Sequence, residues 1–167
     1  MYIGAHVSPA GGLDRAIDRA VEIGAEAVQL FCSSPRGWAF KPPSDDAVTA
    51  FRQKSRDNGI GPAFLHGIYL VNLGTPDSEH LKKGVDSLTN YMHVASAIGG
   101  RGVIFHGGSH KGAGYESVFR QTVDSFKEVL ANSPNDAYLI LENSAGMGNH
   151  IGSSFADIGR ILKAVES

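Results

Sequence analysis

The sequence predicts an α/β protein built on a parallel sheet. Three apolar runs each end in a residue that can bind a metal, namely His66, His106 and Glu142. Apolar runs that stop at glycine-containing loops are typical of buried parallel strands, whose carboxyl ends carry the functional sites of α/β proteins. Helical segments separate the runs. Strand and helix therefore alternate five times, as in sheets with right-handed crossovers.

Runs of apolar residues predict the five strands. They cover residues 2–8, 27–31, 62–66, 102–106 and 137–142. The loop after the second strand, residues 32–43, is long and carries Arg36 and the single tryptophan, Trp38. A glycine-rich loop, residues 143–148, follows the fifth strand.

Apolar residues that recur every three or four positions predict the helices. The first helix carries such a stripe over residues 13–21 and ends at Gly24. The second begins near Ser44, a good N-terminal cap, and ends at residues 58–59.

The third helix is predicted to follow Thr75 as a cap and Pro76 as the first helical residue. It carries an apolar stripe over residues 81–95 and stops at Gly99. Two further helices are predicted from stripes at residues 119–130 and 155–165.

Five such units form either a small open sheet or the first five units of an eight-unit barrel, which typically needs about 250 residues. The 167 residues fit one domain, residues 1–167, with 42% hydrophobic and 19% charged side chains. No apolar run approaches the length of a membrane span, and no signal-peptide pattern opens the chain. The single cysteine, Cys32, fits a reducing cytoplasm, which is the expected location.

Net charge is −2, so bulk electrostatics do not favour nucleic-acid binding. A nucleic-acid ligand would need local basic loops or bound cations. The glycine runs at residues 107–108 and 146–148 lack the spacing of a phosphate-binding fingerprint, which leaves a dinucleotide site without support.

The strongest chemical signal is the set of His66, His106 and Glu142, because the carboxyl ends of parallel strands meet at one rim. Two imidazoles and a carboxylate are a common zinc set, and manganese accepts similar ligands. A fourth, open position allows a bound water to act as a nucleophile. Taken singly, each residue is more often a packed or capping residue, so the signal lies in the repeated strand-end placement.

The remaining histidines carry weaker signals. His6 lies near a strand end and His110 follows His106, so each is a candidate for a partner of the metal ligands or a phosphate contact, with a surface hydrogen bond as the alternative. His80 and His93 are predicted on a helix surface, and His150 has no strand-end position. Cys32 is predicted to be a buried, inert thiol.

Two loops suggest a polymeric ligand. Tyr69 and Leu70 follow His66 closely, and Arg36 lies in the loop after the second strand. An aromatic and aliphatic pair beside a metal rim can wedge into a base stack, and an arginine can fill the gap left by an extruded nucleotide. Ordinary loop packing is the alternative for all three.

Four motifs in order resemble those of the endonuclease IV family. They are GAHVS followed by GGL at residues 4–13, HGIYLVNLG at 66–74, FHGGSH at 105–110 and ENSAG at 142–146. The resemblance implies a (β/α)8 TIM barrel that carries three zinc ions. It also implies an activity of the deoxyribonuclease IV type, the hydrolysis of the phosphodiester 5′ to an abasic site in double-stranded DNA during base excision repair.

Carried over to this sequence, the resemblance makes His66 and His106 ligands of one zinc and Glu142 its bridge to a second. Tyr69 and Leu70 match the pair that penetrates the DNA at the lesion, and Arg36 matches the arginine inserted with them. The clustered metals would activate a hydroxide and neutralise charge on the phosphate.

The sequence departs from the family in two places. Gly107 stands where the family usually has proline. The family's other ligands lie on strands six to eight, beyond the sequence given, so the resemblance implies an N-terminal portion with at most one well-ligated metal position. An incomplete barrel is also expected to expose its fifth strand and to favour self-association. Two alternatives stay open, a metal-dependent sugar isomerase or epimerase and a non-catalytic DNA-binding fragment.

Overall fold

A computed structural model describes residues 1–145 and 148–166 of the chain. Within these residues the strands are β1 (Gly4–His6), β2 (Ala27–Leu30), β3 (Ala63–His66), β4 (Gly102–His106) and β5 (Tyr138–Glu142). The helices are α1 (Arg15–Glu22), α2 (Asp45–Asp57), α3 (Ser78–Ile98), α4 (Tyr115–Ala131) and α5 (Phe155–Val165). The predicted alternation is confirmed, although β1 is shorter than expected. Gly146 and Met147 of the predicted loop after β5 lie outside the described residues.

The strands form one parallel sheet in the order β1-β2-β3-β4-β5. His66 on β3 pairs in register with Ile104 on β4, and His106 pairs with Glu142 on β5. Among the described residues β1 and β5 are the edge strands. Because every strand runs in the same direction, the three predicted ligands reach the same rim of the sheet.

The two faces of the sheet differ in burial. Leu65, Val103 and Phe105 are fully buried and pack with residues of the helices, including Ile17 and Met92. These side chains form the hydrophobic core between the sheet and the helices.

The opposite face is partly open. Phe64 and Ile104 are only half-buried and border a cavity of about 320 Å³ together with His6 and Gln29. Side chains two residues apart on a strand share a face. This open face therefore continues into the strand ends that carry His66, His106 and Glu142.

Helix termini follow the sequence with one correction. Ser44 caps α2 as predicted, since its hydroxyl accepts a hydrogen bond from the Ala47 amide. Thr75 does not cap α3. The cap is Asp77, whose Oδ1 accepts the amides of Glu79 and His80 at 2.9 and 3.0 Å. Asp77 is therefore the last residue before the helix, and Pro76 is not the first helical residue as predicted.

Among the helices of residues 1–145 and 148–166, none combines the length and the apolar content that crossing a membrane requires.

Candidate metal centre

Three side chains from neighbouring strand ends converge at the rim of the sheet. The Nε2 atom of His66 lies 3.1 Å from Oε2 of Glu142, and Nε2 of His106 lies 3.8 Å from the same oxygen. One ligand atom from each residue lies within 4.8 Å of the other two. The register of β4 with β5 places His106 directly opposite Glu142, so backbone pairing sets their separation.

His66 is oriented by a hydrogen bond of its other ring nitrogen. Its Nδ1 lies 2.8 Å from the carbonyl oxygen of Gly67. A carbonyl only accepts, so Nδ1 carries a hydrogen, and the tautomer that leaves the lone pair at Nε2 is the one that can bind a metal there. This arrangement is the usual one for a metal-binding imidazole. Two acceptors, Nε2 and the Glu142 carboxylate, then face each other, and a proton or a cation between them removes the repulsion.

Burial differs across the three residues. The side chain of His66 is 7% exposed, whereas those of His106 and Glu142 are 45% and 41% exposed. His66 is packed against the ring of Phe31, with centroids 5.4 Å apart. The three ligand residues are thus packed in place at His66 and open to solvent at His106 and Glu142. Two imidazole nitrogens and one carboxylate oxygen with an open side fit a zinc ion that keeps a position for water or substrate.

A cavity of about 600 Å³ adjoins the open side of the centre. His106 and Glu142 line it together with both residues of the predicted wedge, Tyr69 and Leu70. Tyr69 is 59% exposed. Its backbone amide donates to the carbonyl of Pro35 at 2.9 Å, which brings the loop of Arg36 next to the loop of Tyr69. Arg36 itself is exposed.

The structure places His6 beside the centre. Its ring lies 6.3 Å from that of His66 and 4.7 Å from Phe31, and its Nδ1 contacts the side-chain amide of Gln29 at 3.2 Å. Partial burial lowers the pKa of His6, and the nearby His66 lowers it further. The suggested role as a partner of the metal ligands stays a prediction.

His110 lies apart from the cavity lining. It is buried, and its Nδ1 accepts the backbone amides of Gly112 and Gly114 at 3.3 and 3.1 Å. These bonds shape the loop after β4. Its role as a phosphate contact stays a prediction.

Among the residues that line the cavity and that sequence reasoning gave no site role are Asn72, His80 and His150. The Oδ1 atom of Asn72 accepts the amides of Gly74 and Ser109 at 3.0 and 2.9 Å, which ties the loop after β3 to the loop after β4. An asparagine two residues before a glycine is a recognisable turn signal.

His80 and His150 had no such signal. His80 is half-buried, not a simple surface residue, and His150 forms an isolated bridge with Ser109. His93, by contrast, is exposed on α3 as predicted.

Comparison with known proteins gives a consistent picture. The model of the xylose isomerase-like TIM barrel family matches residues 17–167. The chain is 36% identical over 166 residues to a probable endonuclease 4 of Halothermothrix orenii, covering 99% of this chain and 60% of that protein. It is 39% identical over 164 residues to a probable endonuclease 4 of Cenarchaeum symbiosum, covering 97% and 58%. The chain thus spans about 60% of the length of these curated relatives.

Solved structures agree. The endonuclease IV of Thermus thermophilus superposes with a TM-score of 0.87 at 31% identity, over 97% of this chain and 59% of that one. A D-psicose 3-epimerase superposes with a TM-score of 0.74 at 14% identity, over 99% and 60%, a likeness that shows the fold alone. The predicted TIM-barrel fold and the predicted resemblance to endonuclease IV are confirmed.

Proposed function

Because the chain belongs to the xylose isomerase-like TIM barrel family, and within it resembles endonuclease IV, we propose that it functions in a metal-dependent DNA repair endonuclease. The reaction we propose is hydrolysis of the phosphodiester 5′ to an abasic site in double-stranded DNA. Relatives named endonuclease 4 support a nuclease in general, and the residues at the rim support this finer reading.

The observation that carries the proposal is the convergence of His66, His106 and Glu142 beside the exposed Tyr69. We propose that these three residues hold a zinc ion, with manganese as the alternative metal. A metal bound there supplies positive charge and Lewis acidity next to a phosphodiester. The hydrogen bond to Gly67 keeps His66 in the tautomer that such binding requires.

The residues of the chain would bind and orient the DNA. We propose that Tyr69 and Leu70 enter the base stack at the lesion, where a missing base lowers the cost of separating neighbouring bases. We propose that Arg36, on the adjacent loop, fills the gap left by the extruded nucleotide and brings a positive charge to the DNA. Local charge is needed because the net charge of the chain is −2.

An experiment on the purified chain tests the proposal. The substrate is a duplex with one tetrahydrofuran abasic analogue, with an undamaged duplex for comparison. We expect about one zinc per chain by elemental analysis and preferential binding of the abasic duplex, which a chelator weakens. Incision 5′ to the analogue is expected once the further ligands that the resemblance implies complete the metal site. In Glu142→Gln zinc content and the preference for abasic DNA fall, whereas the matched control is His93→Ala, which replaces an exposed histidine on α3.

The remaining outcomes separate the alternatives. Selective binding of abasic DNA that gives no incision even with the further ligands present favours a non-catalytic DNA-binding role. Turnover of a free ketose favours an epimerase. A chain that binds no metal and does not distinguish the two duplexes contradicts the proposal.

A further inference from the structure

One side chain, His80, joins helix α3 to the loop after β3, which lines the cavity, and to the loop after β2. Its Nε2 lies 2.7 Å from the carbonyl oxygen of Leu70, in the loop after β3. Its ring packs at 90° against the ring of Trp38, with centroids 5.1 Å apart, in the loop after β2. His80 is half-buried and lines the cavity next to the candidate metal centre.

Both the backbone and the ring of His80 are held in place. The backbone amide donates to the cap residue Asp77 at 3.0 Å, and this bond is the main reason that the pKa of Asp77 is lowered. The carbonyl of Leu70 can only accept, so Nε2 of His80 carries the hydrogen and donates it. The donor is therefore fixed before any ligand arrives.

The two loops are also joined to each other. The amide of Tyr69 donates to the carbonyl of Pro35 at 2.9 Å. His80 binds Leu70, the residue after Tyr69, and packs against Trp38, three residues after Pro35. The exposed Tyr69 and Arg36 consequently belong to one connected unit, which we call the rim clamp and define as residues 35–38, 69–70 and 80.

We infer that His80 is a positioning residue that keeps Tyr69 and Leu70 in one conformation against the loop of Arg36. A loop that is ordered during folding loses less entropy when it binds. His80 would therefore raise the affinity for a DNA lesion by holding the loop that carries Tyr69 and Leu70. This last step rests on the proposed function, whereas the effect on the loop does not.

Two variants separate the donor from the ring. His80→Phe keeps a ring against Trp38 and removes the hydrogen that Leu70 accepts. His80→Gln lacks the ring, but its side-chain Nε2 lies the same number of bonds from Cβ as that of histidine, so it can still donate. The control is His93→Phe, on the same helix, because Nε2 of His93 also faces a backbone carbonyl, that of Asn132, at 3.0 Å, outside the rim clamp.

The first measurement is hydrogen exchange of the Tyr69 amide in the DNA-free chain. We expect His80→Phe to speed this exchange about two- to tenfold, the range that one neutral hydrogen bond allows. His80→Gln should restore most of the protection, and His93→Phe should leave it unchanged. The second measurement is affinity for the abasic duplex, which should fall by a similar factor in His80→Phe while zinc content stays the same.

The outcomes distinguish the two proposals. Unchanged exchange at Tyr69 in His80→Phe, or an equal change in His93→Phe, overturns the positioning role. Faster exchange in a chain whose parent does not prefer abasic DNA supports the positioning role and contradicts the proposed function.

Discussion

Gly108 occupies a position where an added methyl group has no room. Its φ is +90°, and a Cβ built there would lie 2.2 Å from Oδ1 of Asn72 and 2.6 Å from the Cα of Asn72. The second contact is with backbone, so rotation of the Asn72 side chain cannot relieve it. Gly108→Ala therefore pushes apart the loops that follow β3 and β4.

The size of the effect follows from two contributions. A left-handed backbone costs an alanine about 1–2 kcal/mol, and overpacking typically adds about 1–3 kcal/mol. We expect Gly108→Ala to lower the free energy of unfolding by about 2–5 kcal/mol. Gly112→Ala is the matched control, since Gly112 has a φ of +91° in the same loop and nothing within 4 Å of its built Cβ. It should lower the free energy by only about 1–2 kcal/mol.

Urea unfolding followed by circular dichroism measures both variants. Gly108→Ala should also weaken zinc binding, because its loop begins directly after His106. Equal losses of stability in the two variants would refute the argument, since the close approach to Asn72 would then contribute nothing.

Three further predictions concern single side chains. Glu142→Gln should weaken zinc binding at least about tenfold in a chelator competition, since outer-sphere changes already cost that much; unchanged affinity would exclude Glu142 as a ligand. Burial raises the pKa of the Cys32 thiol to about 12, so iodoacetamide at pH 8 should label the folded chain far more slowly than the unfolded one. Mass spectrometry measures both labelling rates, and equal rates would argue against a raised pKa of Cys32. The Lys54 ammonium, 2.7 Å from Asp14, lowers the pKa of that carboxyl from 3.8. The pair therefore stabilises the fold above about pH 4 and stops doing so as the pH falls through the lowered pKa. The loss of unfolding free energy caused by Lys54→Met should accordingly be smaller at pH 3 than at pH 6. A loss that is the same at both pH values would contradict a stabilising role of the pair.

The strand ends were predictable because their signal is local. An apolar run that ends in a ligand residue predicts a strand and a rim position together, and His66, His106 and Glu142 do meet there. Ser44 was predictable as a cap for the same reason, since its hydroxyl and the amide it binds lie three residues apart.

Contacts that depend on the path of a loop were not predictable. Thr75 looked like a cap, but it is 2% exposed and its hydroxyl accepts the amide of Asp77, which then caps the helix. His80 reaches Leu70, ten residues earlier, only because the intervening loop folds back. Neither arrangement has a periodic signature.

The register of the sheet has a consequence for the evolution of such a site. Neighbouring strands lie about 4.8 Å apart. Side chains at their ends therefore need to converge only slightly to bind one cation. The sheet thus sets the distance between the metal ligands, and its spacing comes from backbone hydrogen bonds that every sequence shares. Helix surfaces can change freely around it, whereas inserting one residue within β5 would turn the Glu142 carboxylate to the opposite face.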